Sequence, residues 1–243
     1  MARRLLIVRH GQSIWNLESK FTGWTNIPLN KKGKIDAFNM AKTLNHYSMN
    51  PSIIYSSIME RAINTSEIIN KNLEKEVAIN TDWRLNEKHY GTLEGVEREY
   101  IRNKYGVEFT KKMRSNYTMM PPVIDNTIEK QYQVVDMCND SKEYFEKIKY
   151  GESKKDVYNR TIPFYLEKIV PLVKQNEFPL LVTHKHTARV LMKYLHNIND
   201  KDFEKYKLPE DKIIYLELDD NFKETNYKLL DFKYIYDKEL KMT

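Results

Sequence analysis

The chain has 243 residues, 41% hydrophobic and 30% charged, a balance that supports a sizeable folded core and excludes a disordered chain. Its formal charge of +6 suits anionic partners, yet the basic residues are interleaved with acids, as in KKGKID and KDFEKYK, the pattern of solvated helix faces. No apolar run approaches the roughly 18 residues needed to cross a bilayer, and the single cysteine, Cys138, excludes an intramolecular disulfide framework and fits a reducing, cytoplasmic setting.

In chain order, Leu5 to Val8 reads as a buried strand, since it is too short for the h-region of a signal peptide. Asn30 to Asn45 carries Ile35, Phe38, Met40, Ala41 and Leu44 at helical spacing. Ile53 to Tyr55 reads as a second strand, Met59 to Leu73 as a helix and Val77 to Ile79 as a third strand. Gly95 to Tyr150, rich in charge, tyrosine and methionine and broken by Pro121-Pro122, breaks the alternation and is expected to form a lid or cap insertion at about 95–150. Glu152 to Lys174 is a long helix that bends or ends near Pro163 and Pro171. Leu180 to Val182 is a further buried strand, followed by a helix over Thr187 to Leu195. Ile213 to Leu218 alternates as a half-covered or edge strand does. Strands alternating with helices predict one α/β domain over residues 1–243, a three-layer sandwich with a mostly parallel central sheet flanked by helices.

Ligands gather at the carboxyl ends of such strands. Strand one ends in Arg9-His10-Gly11-Gln12-Ser13, strand two leads through Ser56-Ser57 to Arg61, and the strand at 180–183 ends in His184. Two arginines offer planar forks to phosphate oxygens, and a neutral imidazole between them is a competent nucleophile. Gly11 lets the backbone come close to a ligand, and His184, if protonated, donates to a phosphoryl oxygen. No nucleic-acid motif or Walker-type glycine loop is present.

Arg9-His10-Gly11-Gln12-Ser13 followed by Trp15-Asn16, Phe21-Thr22-Gly23-Trp24, Leu29 and Gly33 resembles the opening of the 2,3-bisphosphoglycerate-dependent phosphoglycerate mutases of the histidine phosphatase superfamily. Ser56-Ser57 with Arg61-Ala62 and Thr65, then Trp83 to Gly91 with Leu93 and Gly95, are similar to further blocks of that family. Arg114, Tyr117, Pro121-Pro122, Glu152-Ser153, Pro163-Phe164 and Ile169 to Pro171 keep its order, so the likeness covers about residues 3–220. It implies a phosphohistidine at His10, a phosphate pocket completed by Arg9, Arg61 and His184, and Glu87 as the general acid–base. It also implies substrate contacts from Ser13, Asn16, Thr22, Gly23, Lys88, Tyr90, Arg98, Arg114, Ser115, Lys185 and His186. The implied reaction interconverts 3- and 2-phosphoglycerate in glycolysis and gluconeogenesis, with 2,3-bisphosphoglycerate as primer and no metal. The implied partners are small phosphorylated metabolites, with neither nucleic acid nor membrane, and the implied assembly is a homodimer or homotetramer.

The chain departs from that family at several positions. Lys185-His186-Thr187 replaces the usual Gly-Asn-Ser after the second histidine, Gln12 replaces a glutamate, Arg98 a lysine and Ser115 an arginine. Lysine cannot approach a ligand as glycine does and is strained at positive φ, so Lys185 either adds a cation to the pocket or turns outward. His184 and His186, two apart, can share a strand face as metal ligands do. The chain is also short after Leu230, and a weaker cover admits water, which favours hydrolysis. Three activities therefore stand open: the mutase, a phosphatase acting on a small phosphoester, and a non-catalytic relative that binds phosphorylated ligands.

Overall fold

The computed structural model describes residues 3–124 and 139–232; Cys138 lies outside them. The chain runs through β1 (Arg3–Arg9), the short helix α1 (Ile14–Leu17), α2 (Lys31–His46), β2 (Ile53–Ser56), α3 (Glu60–Lys71) and β3 (Ile79–Thr81). Helices α4 (Arg98–Tyr105), α5 (Val107–Ser115) and α6 (Asn139–Ile148) follow. Next come α7 (Lys154–Phe164), α8 (Val170–Lys174), β4 (Pro179–Thr183), α9 (Lys185–Leu195), α10 (Asp200–Lys205), β5 (Lys212–Leu218) and β6 (Glu224–Asp231).

The strands form one six-stranded sheet in the order β3-β2-β4-β1-β5-β6. β3, β2, β4 and β1 are mutually parallel, whereas β5 and β6 are added antiparallel. The run Leu5 to Val8 is fully buried because both faces of β1 are covered. Successive residues point to opposite faces. Leu5 and Ile7 meet Phe164, Ile169 and Leu191 on one side, while Leu6 and Val8 meet Met40, Leu44 and Ile69 on the other. This gives the three layers expected from the alternation of elements.

Two expectations for the sheet need correction. Lys212 to Leu218 is not an edge strand; it lies between β1 and β6, with Ile213 through Leu216 buried. Its apparently polar Tyr215 is covered too, the ring meeting Phe178 edge-on at 6.1 Å. The edge is β6, whose TNYKLL face is almost wholly exposed and so carries no apolar period to betray it. The third strand begins at Ile79 rather than Val77.

The long helix persists through both prolines. Between α7 and α8 the turn widens to π geometry over Tyr165–Ile169. Pro171 lacks an N–H and in regular α geometry its ring would collide with the carbonyl of Glu167, a conflict the wider turn relieves. The insertion region contributes α4, α5 and α6, and Tyr144 of α6 packs against Trp83 at 4.9 Å.

The loop after β1 is pressed onto the first turn of α2. Asn30 caps α2 by accepting from Gly33 N–H at 2.8 Å. A Cβ on Gly11 would lie 2.1 Å from the Gly33 carbonyl oxygen, and one on Gly33 would lie 2.2 Å from that of Gln12. The closeness that Gly11 permits is to the backbone of Gly33, and Gly11 also lines the cavity at the end of β1. Gly33→Ala is expected to destabilise the fold by about 2–3 kcal/mol, read as a lower urea midpoint with unchanged slope.

Candidate active site

The carboxyl ends of β1, β2 and β4 bring His10, Ser57 and His184 together. His10 is 5% exposed and its backbone N–H donates to Thr183 at 2.9 Å. Its Nδ1 lies 2.6 Å from the Gly11 carbonyl, which can only accept, so the ring proton sits on Nδ1 and Nε2 keeps its lone pair. Burial, followed by the charges of Arg61 and Arg9, holds His10 well below the ordinary histidine value. The imidazole is therefore neutral, as a nucleophile must be.

Arg61 lies in the first turn of α3 and is 1% exposed. It donates to the Gly23 carbonyl at 2.7 Å and the Thr25 carbonyl at 3.0 Å. Burial pulls its proton affinity down to about 10, which leaves it charged at neutral pH. Arg9 ends β1, donates to Asn16 Oδ1 at 3.4 Å and forms an ion pair with Glu210.

His184 is fully buried, its ring centroid 4.8 Å from that of His10. Ser57 Oγ accepts the Met59 N–H at 3.3 Å and directs its own proton to His184 Nε2 at 2.7 Å. The His184 proton then sits on Nδ1, which has no hydrogen-bond partner among the described residues. Burial, then Arg61 and His10, keeps His184 neutral. The condition set on His184, that it donate if protonated, is not met here: it offers a neutral N–H, because a cation beside Arg61 in a dry site is costly.

Glu87 faces this group from the segment after β3. Burial raises its proton affinity, outweighing the Lys88 N–H at 2.7 Å and the charge of Arg61. It also accepts the His186 N–H at 3.2 Å. Glu87 shares a small chamber of about 40 Å³ with His10, Arg61, Thr22, Gly23 and Tyr90. An outer cavity of about 350 Å³ adjoins it, and Arg9, His10, Asn16, Arg98, Arg114 and Lys185 line both.

The remaining sequence-selected residues divide into those at the cavity and those behind it. Ser13 is fully buried and caps α1, its Oγ accepting the Asn16 N–H at 3.2 Å; it lines neither cavity. Ser115, whose Oγ donates to the Lys112 carbonyl at 3.5 Å, lines a neighbouring cavity instead. Lys88 is fully buried behind the wall, its ammonium 5.3 Å from the Tyr90 ring and without a hydrogen-bond partner among the described residues. Burial lowers it to about 8. Lys185 opens α9 at negative φ, so it carries no backbone strain. His186 bonds to Tyr90 Oη at 2.8 Å while His184 bonds to Ser57, so the two histidines do not converge as a ligand pair.

Sequence reasoning missed the residues that hold this wall. Arg160 donates to the carbonyls of Arg84, Asn86 and Glu87 at 2.8–2.9 Å and pairs with Glu152 at 2.7 Å, both side chains nearly wholly buried. Glu94 is 2% exposed and accepts the N–H groups of Trp24, Thr25 and Tyr90 at 3.0–3.1 Å. Both acids belong to resemblance blocks or to charged stretches, and nothing in local periodicity marks them as buried.

His10, His184 and His186 are all held below the ordinary histidine value of 6.5 in the folded state, chiefly by burial. Below pH 6.5 the unfolded chain takes up protons that the folded chain refuses. Stability therefore falls as pH drops from about 6.5, by up to about 1.4 kcal/mol per pH unit for each histidine. Glu87, whose affinity is raised, opposes this over part of the range as a single group. Urea midpoints in phosphate-free buffer should fall between pH 7 and 5.5, and less steeply in His10→Asn; midpoints independent of pH would refute neutral burial.

The chain matches the histidine phosphatase superfamily (branch 1) over residues 5–136 and 123–227. It is 34% identical over 219 residues to a 2,3-bisphosphoglycerate-dependent phosphoglycerate mutase of Corynebacterium diphtheriae, covering 89% of this chain and 86% of that one. A protein of the same name from Bifidobacterium longum is 33% identical over 224 residues, covering 92% and 89%. Among solved structures, a mycobacterial glucosyl-3-phosphoglycerate phosphatase superposes with a TM-score of 0.71 at 22% identity, covering 94% of this chain and 97% of that one. Bacillus stearothermophilus YhfR superposes with a TM-score of 0.67 at 24% identity, covering 94% and 95%. At those identities the structural likenesses bear on the fold, which they share. By its sequence matches and by the histidine–arginine site at the ends of its central strands, this chain belongs to the histidine phosphatase superfamily.

Proposed function

We propose that the protein is a phosphoglycerate mutase, interconverting 3-phosphoglycerate and 2-phosphoglycerate through a phosphohistidine at His10 primed by 2,3-bisphosphoglycerate. The observation that carries this reading is Glu87, a carboxyl of raised proton affinity sharing a 40 Å³ chamber with His10 and Arg61. Moving a phosphoryl group between two hydroxyls requires a group that takes and returns a proton beside the acceptor, and Glu87 answers that need. The mutases from C. diphtheriae and B. longum, similar over about nine-tenths of this chain, support the same substrate.

In this scheme His10 Nε2 attacks the phosphorus of the primer, the N–P bond forms and the P–O bond to the glycerate breaks, the leaving oxygen taking its proton from Glu87. Arg9, Arg61 and the Nδ1–H of His184 take up the charge on the equatorial oxygens. The phosphoryl group then passes to the free hydroxyl of a monophosphoglycerate, whose proton goes to Glu87. Transfer of the other phosphoryl back to His10 releases the isomer, and Glu87 returns its proton to the leaving oxygen. Arg98, Arg114 and Lys185, which line the outer cavity, would meet the carboxylate and second phosphate.

A phosphatase acting on a small phosphoester is the second reading. It is favoured by the Lys185–Glu210 ion pair at the cavity, where the resembled mutases carry glycine in place of the lysine. Phosphorus NMR of the protein with 3-phosphoglycerate, with and without 2,3-bisphosphoglycerate, separates the two. Primer-stimulated appearance of 2-phosphoglycerate is expected; inorganic phosphate without isomerisation would sink the mutase reading. His10→Ala should abolish turnover, and residual activity would refute the covalent route. Glu87→Gln should lower turnover about 10²–10⁴-fold while phosphate affinity stays nearly unchanged.

A further inference from the structure

Glu210 precedes β5 and is exposed, yet its two carboxylate oxygens are divided between two cations of the site. One oxygen pairs with Arg9 at the end of β1, the other with Lys185 at the start of α9. Burial raises its proton affinity, but Arg9 and Lys185 outweigh that and hold it ionised. It lines the 350 Å³ outer cavity but not the chamber that holds His10, Arg61 and Glu87. Of the other cations of the outer cavity, Lys32 pairs with Asp36 at 2.6 Å, whereas Arg98 and Arg114 have no carboxylate within ion-pair distance among the described residues. Of the positive charges awaiting a ligand, one set is therefore open and the other already answered by the protein.

We propose that Glu210 is a specificity-determining residue, an internal anion that competes with a second anionic group of the ligand for Lys185. A phosphoryl group reaching the inner chamber meets His10, Arg61 and Arg9 on the side away from Glu210. An anion further along the same ligand meets Lys185, and there it must displace the Glu210 carboxylate or suffer its repulsion. Phosphoesters with a neutral remainder escape this competition. Selectivity against a second anion is thus set by a like charge placed beside the attractive one. The inference rests on reading the His10 cavity as a phosphoester site, and not on the choice between mutase and phosphatase.

The test compares 3-phosphoglycerate with glycerol 3-phosphate, which carries the same phosphate but a hydroxymethyl group in place of the carboxylate. Dissociation constants are measured by calorimetry on the intact protein and on Glu210→Gln, which keeps the side chain's size and removes its charge. Glu210→Gln should bind 3-phosphoglycerate about tenfold more tightly and glycerol 3-phosphate less than about twofold more tightly. In Lys185→Ala/Glu210→Gln the gain for 3-phosphoglycerate should vanish, because the cation it relied on is gone. Equal tightening of both ligands, or no change in either, would overturn the proposal, as would a gain that survives loss of Lys185. Inorganic phosphate is the control: if it binds neither the wild type nor Glu210→Gln, the phosphoester reading fails, and this proposal with it.

Discussion

The buried pair of Arg160 and Glu152 underlies the geometry of the site. Arg160 reaches out of α7 to the backbone carbonyls of Arg84, Asn86 and Glu87, and Glu152 completes the charge while accepting the His89 N–H at 2.8 Å and the Tyr144 hydroxyl at 2.9 Å. Removing two such charges from water is costly, and that cost is offset only because nearly every donor and acceptor in the cluster is engaged. Trp24 Nε1 adds a 2.6 Å bond to the Glu87 carbonyl. The main chain of Glu87 is thereby anchored from two sides while its carboxyl remains free to face the cavity.

The electrostatics of the cavity follow from what surrounds it. Arg9, Arg61, Arg98, Arg114 and Lys185 stand around a small polar chamber, and burial, reinforced by nearby positive charge, keeps further protons off the histidines. The same field does not cancel the rise in the proton affinity of Glu87, because desolvation acts on it more strongly. A site that holds neutral imidazoles, charged guanidiniums and a carboxyl of raised affinity is prepared for an anion that arrives with its own negative charge. Lys88, buried behind the wall, adds to this field at a distance, whereas Lys154 is drawn down to about 6, chiefly by its burial, and is largely neutral at pH 7.

Much of this was legible in the sequence because it is local. Four consecutive apolar residues ending in Arg9-His10 announce a covered strand with chemistry at its tip, and Arg61 follows its strand within one helical turn. Asn16, Thr22, Gly23, Tyr90, Arg98, Arg114, Lys185 and His186 do reach the cavity. What was illegible depends on distant partners. Glu94 and Glu210 look like solvated acids among many, because charge patterning cannot reveal the backbone N–H groups or the cations that distant segments supply. Glu152 lies in a block of the family likeness, but its pairing with Arg160 is no more visible. Ser13 looked like a ligand contact and is a helix cap, since the same hydroxyl serves either purpose. β6 was silent because an exposed edge strand needs no apolar alternation.

The partner chosen for His10 Nδ1 bears on the energy of the intermediate. A carboxylate in that position would make the imidazole more basic and hold a phosphoryl group more tightly, as carboxylate partners do for histidines bound to metals. The Gly11 carbonyl is a neutral acceptor, at 2.6 Å, on a backbone wedged against Gly33. Orientation is thus supplied by close packing, without extra electron density on the ring. Under a phosphohistidine route such an imidazole is a modest nucleophile but a ready leaving group. The transfer potential of the phosphoryl group then stays high, and discharge is not hindered by the residue that accepted it.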